Sequence, residues 1–149
     1  MEAMVFQRLL DSNAKSRCLR EKRRVLIFSR CMEEEHPEIV NSFTSEYCLL
    51  SVCPEAEHVN MLGFKLAGIL ARGSYEEVAV LTVDGSMHCT QLHWMVEEVF
   101  KICKPACRRR HLILYEGEVK EVSAETVKRS RYLFKVEKLV ELEKECGGT

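Results

Sequence analysis

Short apolar runs that end in turn residues, separated by segments of helical period, constrain this chain more than any other feature. The clearest is Val78-Ala79-Val80-Leu81-Thr82-Val83, which stops at Asp84-Gly85-Ser86. A run this short and this apolar reads as a strand covered on both faces. Two further runs end similarly: Val25 to Ser29 leads to Cys31, and Leu49 to Val52 leads to Cys53-Pro54. Between the runs, Val59, Leu62, Leu66, Ile69 and Leu70 recur at helical spacing before Gly73, as do Leu92, Met95, Val96, Val99 and Phe100 before Lys104-Pro105. Strands alternating with helices of this length require βαβ units and a parallel sheet.

The expected elements follow in order. Residues 5–22 predict a helix with Val5, Leu9 and Leu10 on one face. Strands are expected at Arg24 to Ser29, Tyr47 to Cys53, Val78 to Val83 and His111 to Tyr115. The turn Glu116-Gly117 leads to a fifth at Glu118 to Val122. Pro37 opens a short helix to Phe43. Longer helices are expected at Glu55 to Arg72 and Ser86 to Cys103. Ser123 caps a last helix, Ala124 to Glu145, with Tyr132, Leu133, Val136, Leu139 and Val140 facing inward. The fold class is therefore α/β: one domain over residues 1–149, with an N-terminal helix (1–22), a sheet core (24–122) and a C-terminal helix (123–145). Its expected architecture is a three-layer sandwich around a mainly parallel four- or five-stranded sheet, flavodoxin-like or Rossmann-like.

Bulk properties narrow the function. With 46% apolar and 30% charged residues, the chain is expected to be globular, and its net charge of −1 provides no global field for nucleic acid or an anionic membrane. The run Arg108-Arg109-Arg110, with Lys128, Arg129 and Arg131, reads as a solvated face among glutamates rather than a nucleic-acid patch. No uncharged apolar run reaches the ~20 residues of a membrane helix, and Met1 to Leu10 lacks signal-peptide character. A cytosolic location is expected. Enrichment in Glu, Lys and Arg over Asn and Gln resembles a thermophile's composition. The eight dispersed cysteines then read as packing residues, metal ligands or redox thiols rather than a disulfide framework.

Ligands bind α/β sheets at the carboxyl ends of the strands, so Cys31, Cys53, Asp84, His88 and Cys89 share one expected rim, joined by His58 and His93. Cys89 and His93 lie on one helical face, and Cys89 falls in the first turn behind Ser86, where free amides favour a thiolate. Cys31, Cys53, His88, Cys89 and His93 are the candidate metal ligands or redox groups, suited to zinc or an iron–sulfur cluster. The chain lacks the CxxC pair of the strongest such signatures. Asp84, Gly85 and Ser86 form the candidate binding turn, where exposed amides suit a phosphate or carboxylate and Asp84 a ribose hydroxyl or magnesium water. No GxGxxG or Walker pattern accompanies it. Cys103-x3-Cys107-x3-His111 reads first as a helix-end loop, with a small disulfide or a metal site as alternatives. Ser86 lacks the G-x-S-x-G elbow of hydrolases.

The order of strand-cysteine, helix, then strand–glycine–x–x–His, carried by Cys53, Gly85 and His88 over residues 24–103, resembles the delta-subunit family of methyl-viologen-reducing hydrogenases. The resemblance implies an α/β protein that passes electrons through an iron–sulfur cluster between larger redox subunits, with Cys31 and Cys53 as the residues carried over. The family's paired cysteines are represented here only by Cys31-Met32-Glu33-Glu34, and its strand-end cysteine is replaced near Val83 or Asp84. Asp84 to Trp94 also resembles uncharacterised archaeal proteins of anaerobes. Three functional readings follow. The first is a thiol- or iron–sulfur-linked redox accessory protein with a redox protein partner. The second is a module binding a nucleotide or small anion at Asp84 to Cys89, and the third is a structural protein that self-associates through its last helix.

Overall fold

The computed structural model describes residues 6–147. Its elements are β1 (Gln7–Arg8), α1 (Arg17–Lys22), β2 (Arg24–Ser29), α2 (Arg30–Glu35), α3 (Pro37–Asn41), β3 (Cys48–Val52), α4 (Val59–Arg72), β4 (Glu77–Val83), α5 (Met87–Cys103), β5 (Arg108–Tyr115), β6 (Glu118–Val122), α6 (Ala124–Arg129) and α7 (Leu133–Gly147). The sheet has six strands in the order β1-β3-β2-β4-β5-β6. All pairings are parallel except β5 with β6. That hairpin turns through Glu116 and Gly117, both at positive φ, as a two-residue connection requires.

Alternate side chains of the buried strands feed two cores, which is why these runs are apolar throughout rather than every second residue. Val25, Ile27, Leu50, Val52, Val78 and Val80 meet Leu19, Leu62, Leu66, Leu92 and Val96 from α1, α4 and α5. Leu26, Phe28, Ala79 and Leu81 meet Met32 and Val40 from α2 and α3 on the other face. The three expected layers and the parallel sheet are present. No described helix is long and apolar enough to cross a membrane.

The structure corrects the two ends. The helix expected over 5–22 survives only as α1, because Ser12 and Asn13 turn the chain and Ser16 caps a new start with its Oγ on the Leu19 amide. Gln7–Arg8 instead pairs with β3, adding a strand at the sheet edge; Val5 lies outside the described residues. The single last helix is two, interrupted at Ser130, which closes α6 and whose Oγ binds the Val127 carbonyl. Its expected inner face is not inside: Tyr132, Leu133, Leu139 and Val140 are exposed, and α7 buries no residue.

Candidate functional site

The sheet order reverses between β2 and β4: from β2 the chain crosses to β3 on one side, then returns to β4 on the other. In such sheets this reversal opens a crevice at the carboxyl ends of the two strands. β2 delivers Ser29 and Cys31 to it, and β4 delivers Asp84, Gly85 and Ser86. Gly85 adopts φ +92°, a region that side-chain-bearing residues enter only with strain. The chain can therefore turn at once into α5. Ser86 Oγ accepts the Cys89 N–H at 3.3 Å, and its carbonyl accepts the Thr90 hydroxyl at 2.9 Å. The first turn of α5 carries no acidic side chain.

Two of the expected ligands, Cys31 and Cys89, lie near enough here for the Cys89 thiol to influence the ionisation of Cys31. Cys31 is exposed and Cys89 is buried. Partial burial of its sulfur raises the Cys31 pKa, and the neighbouring Cys89 thiol pushes it further the same way, against the hydrogen bond from Ser29. Ser29 Oγ lies 3.4 Å from Cys31 Sγ. Cys31 is thus a protonated thiol at neutral pH rather than an activated thiolate. His88 stands nearby with Nε2 3.7 Å from Glu55, which belongs to the connection after β3.

The other expected rim residues are used differently. The Cys53 amide donates to Glu57 at 2.7 Å, and that carboxylate also holds Arg8 at 2.9 Å. His58 caps α4, its Nδ1 accepting the Asn60 N–H. His93 is not a rim ligand but a buried residue with both ring nitrogens engaged. Its Nε2 meets Thr82 Oγ1 at 2.8 Å and its Nδ1 meets His111 Nδ1 at 2.9 Å. Among the described residues, no three His, Cys, Asp or Glu side chains gather in a metal-holding arrangement. All eight cysteines are free thiols, Cys103 and Cys107 included.

The Thr82–His93–His111 chain continues to Glu97, 2.7 Å from His111 Nε2, and Arg109 closes it at 2.5 Å. Burial raises the Glu97 pKa, but hydrogen bonds from Arg109 and His111 outweigh it and leave the group below its ordinary value. An ionised carboxylate only accepts, so His111 donates from Nε2 and accepts at Nδ1. His93 then donates from Nδ1, and Thr82 donates to His93 Nε2. Every polar atom of the row is satisfied with both rings neutral. Burial, reinforced by His111, lowers the His93 pKa to about 3, and burial lowers that of His111. His93 and Glu97 share a helical face at i, i+4, a sequence-legible spacing. His111 was grouped instead with Cys103 and Cys107, so the row was not read as one unit.

A second unanticipated network surrounds Glu77, 2% exposed. Tyr47 donates to it, Arg108 pairs with it at 3.1 Å, and Arg110 approaches at 3.7 Å. Arg109 pairs with Glu97 and Arg110 also with Glu121. The arginine run is therefore neutralised by acids of its own chain.

A family model described as Rossmann-like domain matches residues 17–145. The chain belongs to that family. The match covers strands β2 to β6, the β2/β4 crevice and all but the end of α7, and leaves out the edge strand β1. It gives no support to the resemblance to hydrogenase delta subunits, whose paired cysteines Cys31-Met32-Glu33-Glu34 do not reproduce. No curated protein and no solved structure matches the chain. For this Rossmann-like domain, geometry rather than a relative indicates the site.

Proposed function

We propose that this Rossmann-like domain is a thiol redox accessory protein whose working group is the Cys31–Cys89 dithiol at the β2/β4 crevice. The observation that carries the reading is the adjacency of these two thiols, brought from separate βα units to the ligand-binding edge of the sheet. The exposed Cys31 is the thiol a partner reaches; the buried Cys89 resolves it. As its thiolate, Cys31 attacks one sulfur of a partner's disulfide, releasing the other as a thiolate. Cys89, losing its proton, then displaces the partner from Cys31. The domain loses two electrons and two protons and ends as a disulfide; the partner ends as a dithiol. A thiol held protonated does not stabilise the reduced state as a low-pKa thiolate does, so the couple belongs at the reducing end of the thiol scale. Two thiols are half the ligand set of a structural zinc or an iron–sulfur cluster, so the cluster form of the reading is not carried forward.

One observation favours a second reading, a small anion bound at Asp84 to Cys89. α5 opens behind Gly85 with no acid in its first turn, and the Met87 and His88 amides precede the one amide that Ser86 caps.

Incubation of the native protein with oxidised glutathione, followed by peptide mapping, tests the dithiol reading. The expected product links Cys31 to Cys89 and is reversed by dithiothreitol. Glutathione remaining on Cys31 with Cys89 unmodified counts against it. A thermal shift with pyrophosphate, retained in Cys31→Ser, favours the second reading.

A further inference from the structure

Two apolar surfaces of this chain lack a partner among the described residues. One is a groove of about 900 Å³ between α4 and α5, lined by Gly63, Phe64, Trp94, Met95, Val99 and Ile102. Phe64 is 82% exposed and Ile102 72%. The other is α7, none of whose residues is buried; Leu133 is 83% exposed and Leu142 54%. At ~100° per residue, Leu133, Val136, Leu139, Val140 and Leu142 occupy one half of that helix. The described residues bury none of this half. Trp94 Nε1 donates to Ser130 at 2.9 Å and Arg131 lines the groove, so α7 departs from the groove's rim instead of lying in it.

We infer that the chain forms a symmetric homodimer in which α7 of each copy lies in the α4/α5 groove of the other. Length agrees: α7 spans roughly 22 Å and α4 roughly 21 Å at 1.5 Å per residue. Area agrees as well. The exposed parts of Phe64 and Ile102, together with those of Leu133, Leu139, Val140 and Leu142, come to on the order of 700 Å² per chain, close to the ~800 Å² per partner of a stable interface. A monomer rarely leaves such continuous apolar surface in water.

Charge selects a second copy over an arbitrary apolar partner. Glu143 and Lys135 fall within the apolar half of α7, where a lone charge is costly, and the groove is lined by one charge of each sign, Arg131 and Glu98. The ion pairs flanking them are Arg129–Glu125 and Lys138–Glu141, which leaves Arg131 and Glu143 with none among the described residues. Reciprocal docking gives each the opposite charge, twice per dimer, in the isologous pattern of two-fold assemblies.

Sedimentation equilibrium of the full chain at tens of micromolar is the test, with thermal unfolding confirming that the variants, all at exposed positions, remain folded. The wild type is expected to be a dimer. Phe64→Glu in the groove and Leu139→Glu on α7 should each weaken association more than about tenfold. An equal mixture of those two variants should recover a hybrid dimer, because it keeps one unaltered groove–helix pair. Arg131→Glu should weaken the dimer, and adding Glu143→Arg should restore it. A monomeric wild type overturns the inference, as does a dimer indifferent to Phe64→Glu, which would be α7 pairing with α7.

Discussion

Lowering the pH from 7 to 5 is expected to remove about 2 kcal/mol of folding stability through His93 alone. Unfolded, His93 titrates near its ordinary 6.5; folded, it titrates at about 3. Between those values the unfolded chain binds a proton that the folded chain does not. The stability is therefore complete above 6.5 and falls as the pH drops through the interval, by up to about 1.4 kcal/mol per pH unit. His93 is 4% exposed, so solvent screens little of this. His111, also depressed, adds loss of the same sign. Glu97 adds its own as the pH falls below its unfolded value of 4.5. Urea unfolding followed by circular dichroism reads the effect directly. For a slope of ~2 kcal/mol per molar, the midpoint should fall by about 1 M between pH 7 and 5. His93→Gln, which has no proton to gain, should flatten the pH profile by about one proton even though it starts less stable. A wild-type midpoint that does not move, or a His93→Gln profile as steep as the wild type's, would refute the reasoning.

Three further outcomes follow from the same structure. Glu77→Ala leaves Arg108 and Arg110 beside a vacated buried carboxylate and Tyr47 without its acceptor; it should cost about 3 kcal/mol in urea unfolding, and a loss under about 1 kcal/mol would contradict the network. Gly85→Ala forces a side chain to φ +92° and should cost about 1 kcal/mol although nothing crowds the position; equal stability would show that the turn relaxes. Alkylation of Cys31 by iodoacetamide should be slow at neutral pH and still accelerating above pH 9, because burial holds the thiol protonated. Labelling as fast as free cysteine at pH 7 would be incompatible with that environment.

The sheet core was legible because both of its faces are buried: Val78 to Val83 and Val25 to Ser29 carry their strand assignment in composition alone. The ends were less legible because local pattern and tertiary fate diverge there. The helical spacing of Val136, Leu139 and Val140 is real, yet among the described residues nothing buries that face. Gln7–Arg8 becomes a strand only by pairing with β3, a contact without local signal. At the site, the approach of Cys31 to Cys89 follows from sheet topology, which the strand order of the sequence makes legible. His93 was misplaced because helical spacing from Cys89 says nothing of rotation toward β5. Its partners, Thr82 and His111, come from β4 and β5, and His111 is held in turn by Glu97, whose spacing from His93 is the one part of the row visible in the sequence.

The claim that Cys31 and Cys89 form a working couple is tested most directly by equilibrating the protein in glutathione buffers spanning roughly −300 to −180 mV and quantifying the linked peptide at each potential. The account predicts one two-electron transition between dithiol and Cys31–Cys89 disulfide, at the reducing end of that range and absent from Cys31→Ser. Reduced Cys31 and Cys89 at every potential would contradict it.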